Sequence, residues 1–124
     1  MSKDFRGANF RGADLYDRDF SGADMRGADL YRATANDADF RGADLRGATM
    51  SGAKLRYAAF GDADLSGADL SFSDLREASM RGALLAGADL GGALRADDDA
   101  AIRGWVLRDG RLVKSASRKP SRGR

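Results

Sequence analysis

The sequence predicts an all-β solenoid, a chain that turns a corner every five residues and winds into a coil, closed at its C-terminal end by a short helix and a β-hairpin. Three observations predict it. Every fifth residue from Phe5 to Leu90 is Leu, Phe or Met, with Ala35 as the one exception. Two residues before each of these eighteen positions stands Ala in fifteen cases, and two residues after stands Gly in eleven. The composition is odd for an ordinary globule: 124 residues hold 16 Gly and 1 Pro, but Ile102, Val106 and Val113 are the only Ile or Val, all in the last quarter.

A period of five fits neither regular element. Steps of five leave no apolar stripe on an α-helix. On a straight strand an odd step sends every second large residue to the opposite face. A corner after every short extended piece returns each large residue, and the Ala before it, to one interior. The residue between them is Asp in eleven of the eighteen units and points outward. Gly or Asp at the corner suits a tight turn, because both tolerate unusual backbone angles. Turns of the coil stack at about 4.8 Å, the strand spacing; with four units to a turn, eighteen units would make about 4.5 turns and rise about 22 Å.

Stretches such as Gly7-Ala8-Asn9-Phe10-Arg11 and Gly42-Ala43-Asp44-Leu45-Arg46 resemble the pentapeptide-repeat family, whose consensus is A(D/N)LXX. The resemblance covers residues 3 to about 94 and implies a right-handed quadrilateral β-helix. The calcium-binding nonapeptide repeat also uses Gly and Asp, but its nine-residue register is not present.

With four units per turn, residues 20 apart stack. Phe20, Phe40, Phe60 and Met80 form an aromatic-rich interior column, and Phe5, Met25, Leu45, Leu65 and Leu85 another. These are core residues, each contributing about 1.5–3 kcal/mol on burial. Outside, Asp4, Asp24, Asp44 and Asp64 form a ladder beside Arg6, Arg26 and Arg46, a charge checkerboard with weak exposed ion pairs. Arg18 stands where the repeat wants a small inward residue, and a distorted corner is expected there. Departures from the repeat are where function is sought. Tyr31, Arg32 and Phe72 share one face; Arg56, Tyr57 and Arg76 share the next. Exposed aromatics with Arg are the composition of a protein interface, although single surface aromatics are ordinary.

Residues 1–94 form the coil, 95–114 a cap and 115–124 a basic tail. Leu84 and Leu94 replace outward polar residues, as if something covered the last coil, and solenoid ends need covering. Residues 97–104, Asp97 to Gly104, read as the short helix, with Asp at its start and Gly at its end. Trp105 to Lys114 reads as a hairpin around Asp109-Gly110, pairing Leu107 with Leu112 and Val106 with Val113. The family resemblance also implies pairing of two chains through this end, which makes Trp105, Leu107 and Leu112 candidates for a homodimer contact. The tail carries Arg118, Lys119, Arg122 and Arg124, and its composition predicts disorder and weak, salt-sensitive attraction to nucleic acid or another polyanion.

Residues 1–94 have a net charge of −3 and residues 95–124 a net of +5, which together give the chain's +2. The resemblance implies one further function: some family members bind bacterial type II topoisomerases, DNA gyrase among them, by presenting a DNA-like acidic rod. Such a rod is anionic along one side, whereas here Arg6, Arg11, Arg26, Arg41, Arg46, Arg56, Arg76 and Arg81 interrupt the field. With no Cys and no His, cysteine nucleophiles, cysteine-built zinc sites and the commonest general base are excluded. The expectation is a non-catalytic scaffold without cofactor or metal that binds a protein partner. No apolar run long enough to span a membrane and no signal peptide is visible, so a cytoplasmic location is expected.

Overall fold

A computed structural model describes residues 3–115. Parallel bridges join each outward residue to the one twenty positions on: Asp4 to Asp24, Asn9 to Asp29, Asp14 to Thr34, Asp19 to Asp39, and so on to Asp74 with Leu94. Four such columns follow one another along the chain, so each turn has four sides. The ladder is regular: Phe5 N–H donates to the Asp24 carbonyl at 2.7 Å, and Asp24 N–H donates to the Lys3 carbonyl at 2.8 Å.

At each corner the N–H of the small inward residue returns to the carbonyl three residues back, as Ala8 does to Phe5 at 3.0 Å. The residue before it has positive φ, which with that hydrogen bond is the signature of a type II turn. All eighteen corner residues obey this, with φ of 63–75° at the glycines and 55–62° at the others. The left-handed region costs an ordinary L-residue about 1 kcal/mol, which is why Gly dominates. At most rungs the outward Asp locks the corner from its other side. Asp4 Oδ1 accepts the N–H of Arg6 at 3.2 Å, and Asp39 Oδ1 accepts that of Arg41 at 3.0 Å.

The interior is a stack. Phe20, Phe40 and Phe60 are fully buried, with ring centroids 5.4 and 5.0 Å apart and planes inclined by 13° and 4°. Leu45 and Leu65 are fully buried in the adjoining column. The expected distortion at Arg18 is absent. Its N–H donates to Leu15 at 3.1 Å and its carbonyl accepts from Asp39 at 2.9 Å, as Ala does elsewhere. Arg18 is exposed, its side chain leaving the inward position for solvent.

Beyond Leu94 the chain forms an antiparallel hairpin of β1 (Trp105–Arg108) and β2 (Arg111–Lys114), with Val106 opposite Val113 and Leu107 opposite Leu112. Asp109 and Gly110 have φ of 51° and 78°, as a type I′ turn needs. Strand β2 joins the last coil: Leu94 bridges Arg111, and Leu112 N–H donates to the Ala93 carbonyl at 2.7 Å. Ile102 and Leu112 plug the coil end.

The helix expected over 97–104 does not form. The segment makes two separate turns, closed by Asp99 N–H to the Ala96 carbonyl and by Trp105 N–H to the Ile102 carbonyl, both at 3.0 Å, and the Asp99 carboxylate accepts the N–H groups of Ala96 at 2.7 Å and Glu77 at 3.0 Å. Eight residues are too few to repay helix nucleation, and an Asp side chain offers nearby backbone donors an alternative.

Candidate functional site

Two surface clusters and the coil end contain the residues that sequence reasoning selected. The first cluster lies on the side that includes residues 10, 30, 50 and 70. Tyr31, Arg32 and Phe72 come together there and, with Ser51 and Gly52, line a hollow of about 320 Å³. Phe72 is 67% exposed. The Tyr31 ring is fixed from the previous turn by Arg11, whose guanidinium lies 4.6 Å from the ring centroid and 3.2 Å from Asp29.

Arg32 and Phe72 both occupy left-handed corners, with φ of 55° and 57°. Each leans over the glycine one turn later. A Cβ on Gly52 would lie 3.2 Å from Arg32 Cγ, and one on Gly92 would lie 2.5 Å from the Phe72 ring. The alternation Gly12, Arg32, Gly52, Phe72, Gly92 along this corner therefore seats two large side chains on two bare backbones. That spacing of twenty between a bulky corner residue and a glycine is a sequence signal that five-residue counting overlooks.

The second cluster, Arg56, Tyr57 and Arg76, is also assembled; its hydroxyl and carboxylates are engaged within the cluster, while the buried Arg56 Nε has no hydrogen-bond partner among the described residues. Tyr57 Oη donates to Glu77 at 2.9 Å, Arg56 lies 3.8 Å from the same carboxylate, and Arg76 holds Asp74 at 2.6 Å. The Glu77 hydrogen bond pushes the Tyr57 pKa up. The first cluster has the more available recognition groups, since among the described residues Arg32 has no carboxylate within ion-pair distance.

The checkerboard face resolves into paired strips. Arg6, Arg26 and Arg46 each hold the Asp two residues back through Nη2, at 2.8, 2.6 and 2.6 Å. Each also lies 3.7–3.8 Å from the Asp of the next turn. The Arg6 guanidinium pulls the Asp4 pKa down to about 2, and Asp24 and Asp44 are lowered by Arg26 and Arg46 in the same way. Every carboxylate in this ladder down to Asp64 has an Arg beside it, so the face carries little net field. Among the described residues no group of carboxylates is arranged to hold a metal ion.

At the coil end, Leu112 is only 4% exposed and its side chain belongs to the cap, while Trp105 and Leu107 are half-buried against the core. Sequence reasoning missed Arg95. It falls on the five-residue inward position, after Leu75, and is 5% exposed. Its Nη1 donates to the carbonyls of Leu75 and Ala78 at 3.0 and 2.8 Å, its Nη2 donates to Ala100 at 2.8 Å, and Asp99 lies 3.7 Å from its Nε. Lys3 does the same at the opposite end, where Nζ reaches the Ser21 carbonyl at 3.1 Å and Asp19 Oδ1 at 3.2 Å. Both are long cations at inward positions whose heads bond backbone carbonyls at an end of the described coil. The polyanion candidates Arg118, Lys119, Arg122 and Arg124 lie outside the described residues.

The family model described as pentapeptide repeats matches the chain in 8 copies, over residues 4–42, 23–60, 36–71 and 63–93. The chain is similar to the crystal structure of a pentapeptide repeat protein from the thylakoid lumen of Arabidopsis thaliana, with 32% identity and a TM-score of 0.75, over 86% of this chain and 70% of that one. A pentapeptide repeat protein from Nostoc PCC 7120 is 38% identical with a TM-score of 0.63, over 73% of this chain and 77% of the other. One from Cyanothece 51142 is 27% identical with a TM-score of 0.68, over 77% and 61%. No curated protein matches by sequence.

Proposed function

The chain belongs to the pentapeptide-repeat family, and from that premise we propose that it is a non-catalytic scaffold whose rigid rod presents Tyr31, Arg32 and Phe72 to a protein partner. The observation that carries this reading is the strained corner. Arg and Phe have no special tolerance for positive φ, and each costs the coil about 1 kcal/mol where Gly would cost nothing. Even seated on Gly92, Phe72 remains 67% exposed to water. A partner that buries the Phe72 ring and pairs with the Arg32 guanidinium would recover the cost, in the manner of an aromatic and Arg hot spot.

The test is affinity capture from source lysate with the wild-type chain and with the double variant Tyr31→Ala/Phe72→Gly. Phe72→Gly relaxes the corner, so the variant folds. The expected result is a specific protein retained by the wild type and lost by the variant; identical retention by both would remove the reading. The captured protein also decides the alternative. A topoisomerase would point to mimicry of DNA, and a supercoiling assay with DNA gyrase would then register inhibition. The paired Arg and Asp strips favour a different partner, since a neutralised face offers no DNA-like row of charge.

A further inference from the structure

Two leucines, Leu84 and Leu94, stand in the outward column that elsewhere holds Asp, Asn, Thr, Lys, Ser or Ala. Leu94 is half-buried because a strand lies beside it, bridged through Arg111 of β2. Leu84 has the equivalent place on another side of the coil and is 57% exposed. The hairpin covers the sides that contain Gly92, Ala93 and Arg95 and leaves the side of Leu84 as an open edge.

That edge is a complete hydrogen-bond template. One turn earlier, the Ala63 carbonyl accepts Leu84 N–H at 2.9 Å, Leu65 N–H donates to Leu84 at 2.7 Å, and Gly67 N–H donates to Ala86 at 2.8 Å. In the last turn the same three groups, the Ala83 carbonyl and the N–H groups of Leu85 and Gly87, have no partner among the described residues. Beside them runs an apolar groove of about 390 Å³ between this turn and the capping segment, lined by Met80, Leu84, Leu85 and Ile102, with Arg103 at its margin. Arg81 borders the adjoining hollow. Both arginines are exposed, and neither has a carboxylate partner among the described residues.

We infer that this edge takes up an extended segment of a partner protein by strand addition, with a large apolar side chain stacked on Leu84 and acidic residues facing Arg81 and Arg103. The backbone groups demand an extended chain, and alternate side chains supply the selectivity. The two free guanidinium groups set the charge of the occupant. The chain's own residues 116–124 fit poorly: they contain no Leu, Ile, Val, Phe or Met, Pro120 has no N–H to give, and Arg118, Lys119, Arg122 and Arg124 would meet like charge. A second copy presenting the same edge would set Arg81 and Arg103 against their duplicates.

The probe is a capped hexapeptide, Glu-Ala-Leu-Ala-Val-Glu, added to the full-length chain while amide hydrogen exchange is followed by NMR. At saturating peptide, exchange at Leu85 and Gly87 should slow about tenfold or more. The slowing should vanish with Leu84→Asp, which restores the residue type of the four preceding turns, and with a peptide N-methylated at Leu. Phe72→Ala should leave it intact, which separates this edge from the Tyr31 face. The inference fails if the peptide does not slow these amides, or if Leu84→Asp slows them equally. It also fails if both amides are already protected without peptide, whether independently of protein concentration, as cover by the chain itself would produce, or increasingly with it, as a second copy would.

Discussion

At the scale of single residues the corner positions carry the most information. Every one of them is left-handed, yet seven of the eighteen are not Gly. Gly92 and Gly47 have similar φ, 74° and 68°, but only Gly92 has a neighbour in the way, the Phe72 ring. Gly47→Ala should therefore cost about 1 kcal/mol, the price of the angle alone. Gly92→Ala should cost about 1–3 kcal/mol more, from overpacking. Urea unfolding measures both, and in a Phe72→Ala background the excess at Gly92 should disappear. An equal cost at the two glycines would mean that Phe72 is not seated there. The rule of small or polar corners was legible in the sequence. The seating of Arg32 on Gly52 and Phe72 on Gly92 was not, because it relates residues twenty apart through the direction in which each side chain leans.

Among the elements, the cap and the charged faces make separate predictions. Arg95 is the buried pin of the cap. Arg95→Met keeps the stem but leaves the Ala78 carbonyl without its donor, takes the guanidinium from the Leu75 and Ala100 carbonyls and removes the cation beside Asp99, at a cost of about 3 kcal/mol. Hydrogen exchange should show the hairpin amides opening well before those of the coil. Unchanged protection of residues 105–114 would show that Ile102 and Leu112 hold the cap unaided. On the faces, Asp4 and Asp19 are held down to a pKa of about 2, by Arg6 and by Ser21 with Lys3. A carboxylate whose folded pKa is depressed contributes stability above its unfolded pKa and loses it as pH falls through the folded value. Melting temperature should therefore stay level from neutral pH to about pH 4 and fall between there and about pH 2, with salt reducing the drop. A decline beginning above pH 5 would contradict the assigned pairs. The hairpin was legible because Asp109-Gly110 lies between alternating apolar residues. The segment 97–104 reads as a helix because acidic residues before a glycine mimic helix ends, whereas Asp99 holds one backbone N–H of its own turn, from Ala96, and one of a coil corner, from Glu77. Arg95 escaped notice because a cation on an inward position looks like the end of the repeat when it is the piece that ends it.

The whole molecule is a one-dimensional stack in which each turn touches only its neighbours, so stability is a sum of turns and interfaces. The central turn should be the most protected, and Phe40→Ala, which removes the ring stacked between Phe20 and Phe60, should cost about 3–5 kcal/mol. Chemical denaturation with circular dichroism measures this, and a loss below about 1 kcal/mol would rule out the stacked column as the core. The coil was legible down to its twenty-residue turn because the interior obeys one rule everywhere. The recognition surface was legible only as a list of exceptions, since nothing in a period states which exceptions meet. Tyr31, Arg32 and Phe72 come from two corners, and only the stacking brings them around Ser51. Site-specific photo-crosslinking from Ser51 tests the scaffold account most directly, with Arg41 on the opposite side of the rod as the reference position. A benzophenone side chain at Ser51 should give one discrete protein adduct in the source cell extract, and the same group at Arg41 should give none. Adducts of equal yield from both positions, or none from Ser51, would contradict it.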